Sequence, residues 1–367
     1  MRRDGGLASL LDGKRVVICA GSGGVGKTTT AAAIALGMAA RGSRVAVVTI
    51  DPARRLADAL GLAELTDEPR RVDPSRFAEH GVEVTGELWA MTLDAKRTFD
   101  ALIERLAPDA RSRDEVLGNR IYQQLSSAVA GSQEFTAVAK LYELDSEGDY
   151  DLVVLDTPPS RNALDFLDAP GRLIGFFQGR AIRLFLRPAG LGGRLMGAGA
   201  GAVFAVMKRA TGVDLLTDIG GFFRALGGMV DGFTARASHV EALLADAGTT
   251  FVVVSSPEPA PSAEAIFLIR RLRRAGMPFG ALVVNRVAEA EPGLEPAPDL
   301  LISELGPELA GKVVIASEHR LLAARRDSDG IRRLSAEAGD PPTLVVPQLP
   351  DDVHDVEGLV RVAAHLL

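Results

Sequence analysis

The sequence predicts a doubly wound α/β fold, a mostly parallel sheet of about seven or eight strands that carries an inserted helical subdomain. Three observations predict it. Short β-branched runs alternate with long helical patterns, as strand–helix–strand crossovers require. Most of these runs are continuously apolar, as strands covered by helices on both faces should be. Two stretches, about 98–147 and 163–248, have helical patterns without a convincing strand.

The elements follow in order. The first strand is expected over Arg15–Ala20, and residues 21–26 form a glycine-rich turn behind it. Lys27 to Arg41 is alanine-rich and should be helical, with Gly42 as its stop. Further strands are expected at Val45–Ile50, Leu88–Leu93, Leu152–Asp156, Thr250–Ser255, Ala281–Asn285, Val313–Ile315 and Thr343–Val346. The second helical stretch holds the Gly/Ala-rich segment Gly190–Ala202. After it, Leu215, Leu216, Ile219, Phe222, Phe223, Leu226, Met229, Val230 and Phe233 fall on one helical face. Gly220, Gly221, Gly227 and Gly228 each cost about 1 kcal/mol in a helix, so bends or close packing are expected there. No linker is long or polar enough to divide the chain, so residues 1–367 read as one domain with the subdomain built from the two inserts.

Composition narrows the function. Hydrophobic residues make 47% of the 367 and charged residues 24%, an ordinary globular balance with enough chain for a large core. The net charge of −7 argues against a broad nucleic-acid footprint, and the cluster Arg270, Arg271, Arg273 and Arg274 reads as a solvated helix face. A single cysteine, Cys19, excludes an internal disulfide and a CxxC metal clip; in an apolar strand it should simply pack. Arg2 and Arg3 are followed by Asp4 and two glycines rather than by a signal-peptide apolar stretch. The run Leu195 to Met207 is shorter than the roughly 20 residues of a membrane-spanning helix. No integral membrane segment and a cytoplasmic location are expected.

Chemistry concentrates at strand ends. Gly21-Ser22-Gly23-Gly24-Val25-Gly26-Lys27-Thr28 matches G-x-x-x-x-G-K-[ST] between an apolar strand and a helix, the context that gives the pattern meaning. Its glycines let backbone N–H groups converge on phosphate oxygens at a helix N-terminus. Lys27 should reach the β- and γ-phosphates, and the Thr28 hydroxyl should hold Mg²⁺. A second strand ends L-V-V-L-D-T-P-P-S, where Asp156 has the Walker-B position and would bind Mg²⁺ through water. A third ends V-V-T-I-D-P-A-R-R-L, where Asp51 could position a water beside the γ-phosphate, also near the metal, and could as well cap the helix carrying Leu56 and Leu60, the two readings not excluding each other.

Taken in order, G-G-V-G-K-T-T, D-P-A-x-x-L-x-D-A-L, D-T-P-P-S-x-x-x-L-x-F-L, V-V-N-R and V-P-Q-L-P resemble the ArsA-type family. This family comprises arsenite-pump ATPases and the guided-entry ATPases that deliver tail-anchored membrane proteins, within the deviant-Walker-A P-loop class. The resemblance implies a Mg²⁺-dependent ATPase binding ATP and ADP. It implies that Asp51 is the switch I aspartate orienting the attacking water and that Asp156 opens switch II. It also implies phosphate contact by Thr29, adenine reading by Asn285, and closure over the base by the segment holding Pro347.

Departures from the family bear on mechanism. The class carries a lysine at the second loop position, which contacts nucleotide across a dimer interface; here that position is Ser22, which brings no fixed charge. The family's switch II histidine is missing from Asp156-Thr157-Pro158-Pro159-Ser160-Arg161-Asn162. Arg161, Arg54 or Arg55 could supply compensating charge. One cysteine cannot form the thiolate cluster that binds arsenite, nor the zinc-clasping CxxC, so neither a metalloid nor a zinc site is expected. A single ATPase half points to a homodimer. The apolar face of the insert either packs the subdomain's own core or lines a groove for a hydrophobic, membrane-protein client. Two other readings stand beside a client-switching hydrolase: an ATP-binding interaction module with little hydrolysis, and a MinD- or ParA-like positioning ATPase. The latter would use V-E-G-L-V-R-V-A-A-H-L-L as a membrane helix, a segment short enough to pack on the sheet instead.

Overall fold

The computed structural model describes residues 6–51, 54–120, 122–123, 132–157, 160–179, 215–289 and 298–367. Gly190–Ala202, Leu195–Met207, Pro158, Pro159 and the side chain of Arg161 lie outside the described residues. Contacts divide the chain into two compact units. The first takes Met1–Met91, Tyr150–Ala163 and Ala245–Leu367; the second takes Thr92–Asp149 and Leu164–Leu244.

The first unit is built on eight strands: β1 (Val16–Gly21), β2 (Arg44–Thr49), β3 (Arg70–Arg71), β4 (Glu87–Thr92), β5 (Leu152–Asp156), β6 (Thr249–Ser255), β7 (Phe279–Val287) and β8 (Thr343–Pro347). Their order is β3-β4-β2-β5-β1-β6-β7-β8. The pairs β2·β5, β5·β1, β1·β6, β6·β7 and β7·β8 are parallel, and β3·β4 is antiparallel. The two-residue β3 gave no periodicity from which sequence could find it.

Strands β1, β5 and β6 are buried along their whole length, which explains their unbroken apolar runs. One core cluster joins Val17, Cys19, Val47, Val154, Val252 and Val283 of the sheet with Ile34 and Leu36 of the alanine-rich helix Lys27–Ala40. The C-terminal helix Val356–Leu366 packs into the same cluster through Leu359, Val362 and Leu366, so its amphipathic face is spent on the core. The expected strand at Val313–Ile315 is absent. Those residues lie inside the 31-residue helix Pro307–Glu337. A three-residue β-branched run carries too little propensity to interrupt the alanine, leucine, arginine and glutamate around it.

The second unit is helical in its described parts. Ala95–Leu106 and Ala110–Leu117 are N-capped by Asp94 and Asp109, whose carboxylates accept from the N–H of Arg97 and Ser112. Ser132–Glu147 follows, and later Leu215–Gly227 and Val230–Ala245. The expected single face over 215–233 is therefore carried by two helices that separate after Gly227, a break its paired glycines favour. A side chain added at Gly228 would come 3.1 Å from Pro108. Phe222, Leu226, Met229 and Phe233 are buried in one cluster with Ile103, Val116 and Phe177. They form core. The side chains of Leu215, Leu216 and Ile219 lie outside the described residues.

Candidate functional site

Sheet order decides which strand ends meet. β5 lies between β2 and β1, so Asp156 at its end pairs in register with Cys19 on one side and Thr49 on the other. The loop after β1 and the segment after β2 thus open beside one carboxylate, at the carboxyl ends where α/β sheets bind ligands.

The loop demands glycine at two places. A side chain at Gly21 would meet the Val254 carbonyl oxygen at 2.0 Å, because β1 is still paired with β6 there. At Gly26, φ is +90° and a side chain would meet Asn285 Nδ2 at 2.3 Å. Lys27 then opens the alanine-rich helix. Its side chain is 7% exposed and Nζ donates to the Ser22 carbonyl oxygen at 2.7 Å. Burial pushes the ammonium's pKa down, while Asp156 and Asp51 act to raise it.

Asp156 is the most deeply buried acid of the site, at 1% exposure. Its Oδ2 accepts from both the Thr28 hydroxyl (2.7 Å) and the Thr49 hydroxyl (2.9 Å). Its Oδ1 is buried without a hydrogen-bond partner. Burial raises its pKa to about 6, against the lowering effect of the two hydroxyls and Lys27. An unsatisfied buried carboxylate oxygen beside a threonine hydroxyl with free lone pairs suits a hard divalent cation. Thr28 and Asp156, with Asp51 nearby, would hold Mg²⁺ there. Cys19 behind them is fully buried, its thiol pushed up by burial, and it only packs.

Asp51 is not the N-cap of the helix that carries Leu56. The helix Arg55–Ala59 starts after Arg54 and has no side-chain cap. The Asp51 N–H donates to Thr49 Oγ1 at 3.2 Å, and its carboxylate lies 3.9 Å from the Arg55 guanidinium.

These groups surround a cavity of about 770 Å³, large enough for a nucleotide-sized ligand. Gly23, Gly24, Gly26, Lys27, Thr28, Thr29 and Asp51 line it, as do Asn285 and Pro347. Gly21, Ser22, Val25 and Asp156 do not; they hold the wall from behind. Ser22 is 6% exposed, and its hydroxyl donates to Glu264 Oε2 at 2.7 Å, on the helix Pro259–Arg274. Asn285 is likewise engaged: Nδ2 donates to the Val25 carbonyl at 2.9 Å and Oδ1 accepts from the Arg286 N–H. Arg286 takes φ +60°, where the β7·β8 ladder is interrupted between Val284 and Val287.

Sequence reasoning missed Thr49, Glu264 and the part of the cavity wall beyond the V-P-Q-L-P motif, Asp351 to His354. Thr49 had a signal, being the one hydroxyl that closes the apolar run R-V-A-V-V-T. Glu264 had none, since 242 residues separate it from its partner.

Comparison with known proteins agrees with this geometry. Residues 14–294 match the family model described as anion-transporting ATPase. A protein named ATPase GET3 from Malassezia globosa is 27% identical over 301 residues, covering 78% of this chain and 77% of that protein. The uncharacterized protein SCO2128 of Streptomyces coelicolor is 30% identical over 274 residues, covering 74% of this chain and 62% of its own length. A putative arsenical pump-driving ATPase 1 from Aquifex aeolicus is 24% identical, with 76% of this chain and 64% of that protein covered.

Proposed function

The chain belongs to the anion-transporting ATPase family, and on that premise we propose that it is a Mg²⁺-dependent ATP hydrolase whose nucleotide state drives a change in its helical unit. The observation that carries the reading is the convergence on Asp156. One buried carboxylate, with one oxygen spare, receives the hydroxyls of Thr28 from the phosphate loop and Thr49 from the strand that presents Asp51.

Roles follow from position. Backbone N–H groups from Gly23 to Thr29 cradle the phosphates. Lys27, now bonded to the Ser22 carbonyl, exchanges that acceptor for phosphate oxygen. The metal ion neutralises charge on the phosphates when bound. Asp51 lies where it can orient a water, and Asp156 holds Thr28 and Thr49 in place while keeping Oδ1 for the ion or its water. Asn285 and Pro347 border the base; Asn285 does so while bracing Val25, so its adenine contact and its loop contact are made by one amide.

The finer parts of the reading rest on family resemblance: a homodimer, a cytoplasmic location and a hydrophobic client. No helix among the described residues is long and apolar enough to cross a membrane. Phe222, Leu226, Met229 and Phe233 are spent on their own core, so a client would be met by other residues of the helical unit.

Phosphate release with Mg²⁺ tests the proposal. Wild type should turn over ATP and Lys27→Ala should bind it at least about a hundredfold more weakly. Asp51→Asn should keep ATP affinity and lose roughly tenfold to a thousandfold in kcat. Light scattering in ATP and ADP reads the dimer in parallel. A wild type that binds ATP tightly and releases no phosphate would instead support the interaction-module reading, and unchanged turnover in Asp51→Asn would remove Asp51 from the chemistry.

A further inference from the structure

The second loop position brings no charge to the cavity. Ser22 does not line it, and the one proton a hydroxyl can donate is committed to Glu264. Phosphoryl transfer nonetheless develops charge that a single lysine and a metal ion only partly meet, and a further cation at the phosphate end is a recurring solution. Three arginines stand near enough in sequence or in the fold to be weighed: Arg54, Arg55 and Arg286.

The structure separates them. Arg54 turns away, its guanidinium donating to the Ala63 carbonyl. Arg286 lines the cavity beside Asn285 and is paired with Asp352 at 3.8 Å. Arg55 lines the cavity as well, but with Lys27 and Asp51, and its guanidinium lies 3.9 Å from the Asp51 carboxylate. Asp51 is two residues past Thr49, whose hydroxyl reaches Asp156, so Arg55 belongs to the phosphate end.

The way Arg55 is held also matters. Its side chain is 67% exposed and the contact with Asp51 is long. Exposed pairs of this kind contribute little to stability, so fold maintenance does not account for the residue. Arg55 and Lys27 line the same cavity, so a polyanion that enters it meets both cations.

We propose that Arg55 is a catalytic residue of this chain, the guanidinium that meets the γ-phosphoryl oxygens as charge moves onto them. The inference rests on the hydrolase reading above. In the step, water oxygen bonds to the γ-phosphorus as the bond to the β,γ-bridging oxygen breaks. The electron pair leaves with ADP, and the water proton ends on inorganic phosphate. Arg55 exchanges the Asp51 carboxylate for the equatorial oxygens, which also frees Asp51 to accept from the attacking water. A planar fork of donors suits that exchange better than an ammonium would.

The test compares wild type, Arg55→Ala, Arg55→Lys and Arg54→Ala, using affinities for ADP, ATP and ADP with aluminium fluoride, all with Mg²⁺, alongside phosphate release. For Arg55→Ala we expect ADP affinity within about threefold of wild type. Affinity for the aluminium fluoride complex should fall about tenfold to a hundredfold, and kcat by a similar factor. Arg55→Lys should recover part of both, and Arg54→Ala should change neither. Unchanged binding of the fluoride complex in Arg55→Ala overturns the proposal, as does an equal loss for ADP. If wild type releases no phosphate, the hydrolase reading fails. The ratio of ATP to ADP affinity in Arg55→Ala still decides the arginine, since losing a residue that meets the γ-phosphate must lower it.

Discussion

The sheet unit buries charge, and the helical unit buries rings. At the strand ends, Lys27 and Asp156 are almost wholly withdrawn from water, and Asp156 keeps an oxygen without a partner. In the helical unit, Phe177 stacks on Phe233 with centroids 5.5 Å apart, and Phe222 and Met229 fill the same cluster. Both are well packed, but their energetics have opposite signs. Burying rings stabilises the fold directly. Burying an ionised carboxylate costs unless something else compensates. A fold keeps the second kind of burial where a ligand repays it, so the two regions should respond to substitution in opposite ways.

The largest test is Asp156→Asn. Hydrolysis should fall at least about a hundredfold, because the ion loses its carboxylate. The ligand-free protein should nevertheless become more stable near neutral pH. The folded-state pKa of Asp156 is raised to about 6. Its contribution to stability is therefore complete below the ordinary carboxylate pKa near 4 and is lost as pH rises through 6. Asparagine does not titrate, so the variant escapes that loss, which is on the order of 2–3 kcal/mol. Thermal unfolding without nucleotide should show the variant's advantage growing from pH 4 to pH 7. An advantage that is absent, or the same at both ends, would mean the charge is not strained.

Phe233→Ala probes the other side of the comparison. Removing a ring from the helical core should cost about 3–5 kcal/mol, with no gain at any pH. ATP affinity should stay within about twofold, since none of the cluster's named residues lines the cavity. Limited proteolysis should cut within residues 92–149 or 164–244 first. Loss of ATP binding at temperatures where the variant is folded would contradict the separation of roles.

The same contrast explains what could be read from the chain beforehand. The phosphate loop was legible because its pattern is local: Gly21 to Thr28 are consecutive, although the atoms that exclude a side chain at Gly21 and Gly26 come from Val254 and Asn285, far along the chain. Asp51 and Asp156 were legible because each ends an apolar strand in a polar turn. What brings them together, β5 lying between β1 and β2, is a matter of strand order that periodicity does not encode. The Val313–Ile315 run shows the reverse error, a local preference outvoted by its flanks. In the helical unit the apolar face was visible, but its destination was not, because an amphipathic stripe has the same pattern whether it meets neighbouring helices or a ligand.

Ser22→Ala is the smallest and most discriminating change. At this position a side chain works from behind the wall: its hydroxyl holds Glu264 while its own carbonyl holds Lys27. Removing the hydroxyl loses one hydrogen bond to a charged acceptor, worth about 1.5–3 kcal/mol where the partner is left buried and less where water can replace it. Glu264 is exposed, so water can solvate it, and the loss should be near or below the lower figure. The expected result is a rise of about threefold to tenfold in the ATP dissociation constant, with little change in kcat. Glu264→Ala should match it, and the double variant should be no worse than either single one, because both remove the same contact. Glu264→Gln keeps an acceptor for the hydroxyl and should stay close to wild type. A fall in kcat larger than the change in affinity would mean that Ser22 serves the transition state directly. That outcome would mean that Ser22 shares with Arg55 the stabilisation of the developing charge.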